Sequence, residues 1–470
     1  MWYFVGLGFV ILVVAIHDLT QKKHAILRNF PVIGHFRYLL ESIGPELRQY
    51  IVTDNDEERP FSRDQRRWVY ATSKRENDYF GFGTDNDLEN PSNYLFIKQA
   101  TFPRLDPHPG EVGYDPDYKI PSAKVLGEHR NRKKAFRPSS VVNISGMSYG
   151  SLSGPAIEAL NRGAAIAGCW HNSGEGGVSS FHRLGADVVW QIGTGYFGCR
   201  DRDGGFSLEG FRETIAKTPE IKAIEIKLSQ GAKAGLGGIV PSSKVTPEIA
   251  AIRGIEAGKA CLSPARHQAF SDSDSLLDFV EQLAAESGLP VGIKSAVGQM
   301  DFWEELVTHM ARGNRGVDFI AIDGGEGGTG AAPLVFSDHV SLPFRFGFQR
   351  VHGLFDEAGL SDQLTFIGSG KLGFPEMAFY GFALGCDLIA LAREPMLAIG
   401  CIQAQRCHSG GCPTGVATQN KWLVRGLDPQ HKGARCANYI ISLRKEILRL
   451  ARACGKDHPS EIDLGDLEIF

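Results

Sequence analysis

Apolar residues run from Trp2 to Ile16 without a charge among them, and the reading WYFVGLGFVILVVAI predicts one helix near the amino end. A second helical piece is expected over Pro31 to Val52, followed by the charged stretch DNDEERPFSRDQRRW and a loop-rich segment with FGFGTDND and ENPSNY. From Val141 the pattern changes. Short β-branched runs recur as VVNISGMSYG (141–150), WHNSGEGG (170–177), VVWQIGTG (188–195), IKAIEIKLSQG (221–231), PVGIKSAVG (290–298), FIAIDGGEGG (319–328), FIGSG (366–370) and LIALARE (388–394). Their apolar positions do not alternate with polar ones, which predicts strands buried on both faces and hence a parallel sheet. Segments such as GPAIEALNRGAAIAG and SLLDFVEQLAAESG have helical spacing between them. Eight strand–helix units over roughly 260 residues match a (β/α)8 TIM barrel; an open doubly wound sheet is the competing arrangement. Ile440, Leu443, Ile447 and Leu450 predict a terminal packing helix within Gly433–Cys454.

The expected organisation is a transmembrane anchor at 1–17, an accessory region at 18–135, a barrel at 136–400, and a cysteine loop with the terminal helix at 401–470. The apolar run lies just below the usual length of a spanning helix. Trp2 and Tyr3 sit where an interfacial belt would be, and Lys22, Lys23 and Arg28 follow the run. The positive-inside rule then predicts a single-pass membrane protein with its catalytic part in the cytoplasm. A buried or interfacial helix is the alternative. No basic n-region or small-residue cleavage site of a signal peptide is visible.

Composition adds one departure from the ordinary: 56 glycines in 470 residues, about 12% against roughly 7% in average chains. The net charge of −4 gives no electrostatic footprint for nucleic acid. Nine cysteines in a chain of this length do not form a disulfide scaffold.

Polar and glycine residues collect at the carboxyl end of each expected strand, the end where a barrel builds its active site. Met147, Ser148, Glu175, Gln191, Lys227, Gln230, Lys294, Asp323 and Ser369 are among them. The glycine arrays SGEGG, QGAKAGLGG, DGGEGGTG and GSGKLG point to a large planar cofactor with a phosphate, held by backbone N–H groups after the last two strands. Neither a nicotinamide fingerprint nor a P-loop is present in its proper context. Lys227, Lys233 and Lys294 fall on the same face, and a buried cation needs an anionic partner, which a reduced flavin or an oxo acid supplies. Glu175 reads equally as a proton donor or as the partner of one of these lysines. The most specific feature is CIQAQRCHSGGCPTG, in which Cys401, Cys407 and Cys412 can converge on one soft metal centre. A structural zinc site using Cys407, His408 and their neighbours is the other metal reading. Cys169, Cys199, Cys261, Cys386, Cys436 and Cys454 are scattered and read as structural.

Over about residues 140 to 450 the chain resembles the FMN- and iron–sulfur-containing synthase domain of glutamate synthases, in its stand-alone form. The resemblance rests on GMSYGSLS, NSGEGG, QIGTGYFG, EIKLSQGAKAGLGG, GGTGAAP and GCIQAQRCHSGGCPTGVATQ. It implies a (β/α)8 barrel carrying FMN at the strand ends and a [3Fe-4S] cluster on Cys401, Cys407 and Cys412. Met147 and Ser148 would meet the flavin, with Gln191 and Lys294 beside the ring. Glu175, Lys227, Gln230 and Lys233 would face the substrate. The phosphate would lie against Ser369 and Gly370, helped by Arg393. The DGGEGGTG array adds Asp323, Gly324, Gly328, Thr329 and Gly330 to the cofactor set.

The implied reaction passes a hydride from reduced FMN to the 2-imino acid formed from 2-oxoglutarate and ammonia, with a ferredoxin or a reductase subunit as electron donor. Nothing in the first 140 residues resembles the family's glutaminase, so ammonia would come from the free pool, a separate glutaminase subunit or another donor. The family's PGEGG stands here as AGLGG (234–238), its GHDGGTG as GGEGGTG (324–330), and its DGG as GSG (368–370). These changes surround the active face and leave other outcomes open: an N-methylglutamate synthase-like subunit, a membrane-linked FMN dehydrogenase of another amino or oxo acid, or a zinc-holding scaffold without catalysis.

Overall fold

Parallel strands whose residues are all inward or sandwiched have no free face to expose, and the eight apolar runs form such strands. In the computed structural model, which describes residues 2–470 except Lys22, Phe80, Pro91 and Asn314, they are β1 Val142–Ile144, β2 His171–Asn172, β3 Val188–Ile192, β4 Ile221–Lys227, β5 Val291–Ser295, β6 Phe319–Asp323, β7 Thr365–Ser369 and β8 Leu388–Leu391. They pair in chain order and β8 returns to β1, closing an eight-stranded parallel barrel. Closure excludes the open doubly wound sheet. Met1 and Lys22, both part of the amino-terminal reading, lie outside the described residues.

Helices cover the barrel between strands. Gly154–Ala167 follows β1, capped at its start by Ser153 Oγ accepting from Ala156 N and ended by Gly168 in the left-handed conformation. Pro429–Ala453 packs across it. Small residues allow the approach: a Cβ at Gly163 would stand 2.5 Å from Cys436 Cβ. An insertion between β4 and the next barrel helix, Ser273–Ser287, carries a short antiparallel pair, Ile239–Val240 with Cys261–Leu262.

By compactness the chain divides into residues 1–67 and 68–470. In the larger unit, residues 120–137 plug the amino end of the barrel. Arg132 bridges Glu281 and Asp318, with Nε 3.0 Å from Asp318 Oδ2, while Lys124 Nζ donates to Asp387 at 3.1 Å. Polar groups are thus spent on closing that end, leaving the carboxyl end open. Leu95–Ile97 pairs with Leu467–Ile469, fastening the start of this unit to its finish.

The smaller unit consists of helices Trp2–Thr20, Ala25–Asn29 and Gly34–Leu47, the last continuing as a π-helical turn over Arg48–Val52. Trp2–Thr20 has a mean hydropathy of 2.0 over its best 18-residue window and is 6% buried there. Asp18, fully buried, accepts from Val32 N at 2.9 Å and His35 Nε2 at 3.0 Å, tying the end of this helix to the start of Gly34–Leu47.

Candidate active site

Strand register decides which side chains meet at the open end. Lys227 ends β4 opposite Lys294 of β5, and Asp323 ends β6 opposite Ser369 of β7. Together they face a cleft of about 540 Å³, mouth included. Gln191, Gln230, Gly328, Gly370 and Arg393 complete the part of its wall named from the sequence. Ser145, Gly146, Lys371 and Glu394 also line it and were not foreseen.

The cleft wall is cationic. Lys227 Nζ donates to Gln230 Oε1 at 2.7 Å and lies 2.9 Å from Glu175 Oε1; Lys233 Nζ is 3.6 Å from the same oxygen. Glu175 is therefore the shared partner of two lysines, which decides between its two sequence readings. Burial pushes its carboxyl up, but the ammonium groups of Lys227 and Lys233 outweigh this and bring it down to about 2. A carboxylate held ionised has no proton to donate near neutrality. Burial in turn lowers Lys227, opposed by Glu175 and reinforced by Lys233 and Lys294. On the other side, Lys294 Nζ donates to Ser145 Oγ at 3.2 Å and lies 3.5 Å from Asp323 Oδ2, which accepts from Gly231 N at 3.1 Å. Gly231 admits no side chain, because a Cβ there would stand 1.7 Å from Gly324 O.

The depressed Glu175 pKa has a pH signature. Its stabilisation is complete above the ordinary value of 4.5 and is lost as pH falls from there towards about 2. Denaturant midpoints measured between pH 6 and pH 2 are expected to drop steeply through that window. Glu175→Gln is expected to lower stability at neutral pH, by stranding two lysines, and to flatten the acid slope. An unchanged acid slope in the variant would remove Glu175 from the account.

Several expected residues stand back from the cleft. Met147 is buried, its carbonyl accepting from His182 Nε2 at 2.9 Å, and Ser148 Oγ pairs with Ser151 Oγ at 2.7 Å. Gly324 N donates to Ser369 O at 2.8 Å and so joins β6 to β7 behind the wall. Thr329 and Gly330 lie in the loop beyond Gly328 and do not line the cleft. Glu175 and Lys233 act through Lys227, without lining it themselves.

The cysteine loop forms a separate region beside the β1 loop. Ser153 Oγ donates to Gly415 O at 2.7 Å, and Gln419 Nε2 to Leu152 O at 2.8 Å. Lys244, from the β4 insertion, donates to Ser151 O at 3.2 Å and Cys407 O at 2.7 Å. Cys412 is buried with Thr414 Oγ1 3.5 Å from its sulfur, and Cys401 Sγ accepts from Gln403 N at 3.4 Å. Among the described residues, no three His, Cys, Asp or Glu side chains close around a common point. The expected convergence of the three thiols on one point is not seen among the described residues. Cys169, Cys199, Cys261, Cys386, Cys436 and Cys454 are all buried free thiols.

A family profile described as "Conserved region in glutamate synthase" matches residues 117–457. The chain belongs to the glutamate synthase family. One family relative is the "Glutamate synthase large subunit-like protein YerD" of Bacillus subtilis (strain 168), 41% identical over 94% of this chain and 89% of that protein. Another is the "Archaeal glutamate synthase [NADPH]" of Methanocaldococcus jannaschii, 34% identical over 72% of this chain. The chain spans 62% of that archaeal protein's length. Among solved structures, a mandelate oxidase variant with an FMN adduct aligns over 93% of this chain and 99% of its own, at 11% identity and a TM-score of 0.45. A score that low carries no argument about the site.

Proposed function

We propose that this chain is an FMN- and iron–sulfur-dependent oxidoreductase of the glutamate synthase type, converting 2-oxoglutarate and ammonia to glutamate. The observation that carries the reading is the gathering of Lys227, Lys294 and Arg393 around one strand-end cleft. Lys227 pairs with Glu175 and Lys294 with Asp323, but on the lining itself Lys227, Lys294, Lys371 and Arg393 outnumber Asp323 and Glu394, a balance that suits anionic ligands such as a flavin phosphate and an oxo-acid carboxylate.

The cleft fits FMN. Its walls are glycines at which a side chain would collide with functional groups: a Cβ at Gly146 would lie 2.9 Å from Gln191 Nε2, and one at Gly328 would lie 2.5 Å from Arg393 Cδ. Arg393, with the backbone of Ser369 and Gly370, would hold the phosphate, and Gln191 and Lys294 would flank the ring. When bound, FMN supplies hydride chemistry. Lys227 would bind a substrate carboxylate, its ammonium kept in place by Glu175 and Gln230. Glu175, held as a carboxylate, preserves the charge of that lysine.

For the cluster, the donor chemistry fits: three soft thiols on one loop, with N–H and O–H groups directed at sulfur. Cys401, Cys407 and Cys412 would hold it, the loop drawing them together around the metal. The relatives named glutamate synthase support the reaction class and imply an external electron donor. Trp2–Thr20, by its length and hydropathy, would anchor the chain in a membrane.

The test is anaerobic purification of the full chain, with a visible spectrum and quantification of FMN, iron and acid-labile sulfide on one sample. The photoreduced protein is expected to be reoxidised by 2-oxoglutarate only when ammonia is present. Reoxidation that ignores both compounds would reject this substrate pair, and a colourless zinc protein would reject the redox reading.

A further inference from the structure

Inside the barrel, below the lysines, three consecutive strands contribute a polar layer, of which the reading above uses only Gln191. Asn172 comes from β2, Gln191 from β3 and Glu225 from β4, and all are buried, between 3% and 4% exposed. Gln191 and Glu225 are direct register partners. Glu225 Oε1 accepts from Gln191 Nε2 at 2.6 Å and from Asn172 Nδ2 at 2.8 Å. Asn172 Oδ1 is engaged in turn by Gly174 N at 3.0 Å.

This arrangement fixes the sense of the Gln191 amide. An oxygen that receives two amide N–H groups acts as an acceptor, and only the NH2 end of Gln191 can face it. The carbonyl end is then turned away from Glu225. Among the described residues none donates to Gln191 Oε1, although the side chain is almost wholly buried and lines the cleft. This oxygen is not among the sealed-off, unpartnered polar atoms of the described residues, and with Gln191 on the cleft lining it is open to a donor from a ligand. Gly146 permits this: any side chain there would press on the amide.

We propose that Glu225 is a positioning residue, which keys Gln191 so that its carbonyl oxygen accepts a ring N–H of the bound flavin. The inference rests on the FMN reading of the cleft. Asn172 completes the device by holding Glu225 from the opposite side. Glu225 touches no ligand and acts only through Gln191.

The test is a double-mutant cycle on the full chain, read as the FMN dissociation constant of the flavin-stripped protein by fluorescence titration. Glu225→Gln offers donors as well as an acceptor to Gln191 and releases its orientation. It is expected to weaken FMN about tenfold, the loss of roughly one hydrogen bond, and to shift the flavin absorption envelope. Gln191→Leu is expected to weaken FMN by a similar factor. In the Gln191→Leu background, Glu225→Gln is expected to cost nothing further, because its only route to the flavin is gone. Glu225→Asp, which withdraws the oxygen from Gln191 while keeping the acid, replaces the Gln variant if that fails to fold. An unchanged dissociation constant in the Glu225 variants would overturn the proposal. So would an equal loss in both backgrounds, which signifies general disturbance of the barrel. If wild-type protein does not bind FMN at all, the cofactor reading falls and the inference falls with it; binding by wild type with no effect of Glu225 refutes the inference alone.

Discussion

Lys227→Met is expected to reduce turnover of 2-oxoglutarate by roughly 100- to 1,000-fold while leaving FMN bound, the size of effect that follows loss of one well-placed charged donor in a closed site. The side chain is 8% exposed, lines the cleft, and is held between Gln230 and Glu175. Removing it takes away one of the ammonium groups lining the cleft without stranding Glu175, because Lys233 remains 3.6 Å from the same carboxylate oxygen. The protein should therefore fold, and the loss should appear in the oxo-acid half-reaction. Lys227→Arg is not expected to rescue it, since a planar guanidinium cannot occupy a pocket shaped for a compact ammonium. Stopped-flow reoxidation of the photoreduced flavin by 2-oxoglutarate and ammonia measures the step directly. A variant with normal reoxidation would remove Lys227 from substrate binding and return it to a structural ion pair.

Cys412→Ser is expected to abolish the iron–sulfur centre and all turnover driven by an external one-electron donor, while FMN content stays at the wild-type level. The reason is spatial. The cysteine loop lines none of the cleft and docks on the β1 loop through Ser153 and Gln419. Serine keeps a similar size and the contact to Thr414, so the fold of the loop should survive. It lacks the soft thiolate that iron prefers. Iron and sulfide analysis beside flavin quantification separates the two cofactors, and chemically reduced flavin should still be reoxidised by substrate. Wild-type iron content in the variant would remove Cys412 from the ligand set. Loss of flavin together with iron would show that the loop supports the cleft as well.

Much of the barrel is legible in the sequence. Seven of the eight expected runs contain the observed strands and the eighth, FIGSG, misses only Thr365 at the start of β7, because most parallel strands buried on both faces are largely apolar and stop where their polar end meets the cleft. The same logic placed Gln191, Lys227, Lys294, Asp323 and Ser369 at the open end. Glu225 carried a signal that went unread: it lies two residues before Lys227 in IKAIEIK, so both project to the same side of a buried strand. Lys371 and Glu394 gave no such signal, since each lies beyond its strand, Lys371 in a loop and Glu394 in the first turn of the helix Arg393–Ala398. Nothing in the sequence marks Asp18, and only folding buries it against Val32 and His35.

The sequence by itself determined the number and order of the strands, the end of the barrel that carries chemistry, the cysteine spacing and the family. These depend on local periodicity, on residue type at strand ends and on short motifs, all of which are properties of contiguous chain. Tertiary structure alone decided that the sheet closes, that Glu175 serves Lys227 and Lys233 as an ion-pair partner, and that Asn172, Gln191 and Glu225 form one layer. Those facts rest on register between strands and on loops that bring distant residues within about 3 Å, where hydrogen bonds and charge pairs acquire their strength. Spacing along the chain carries no record of that distance.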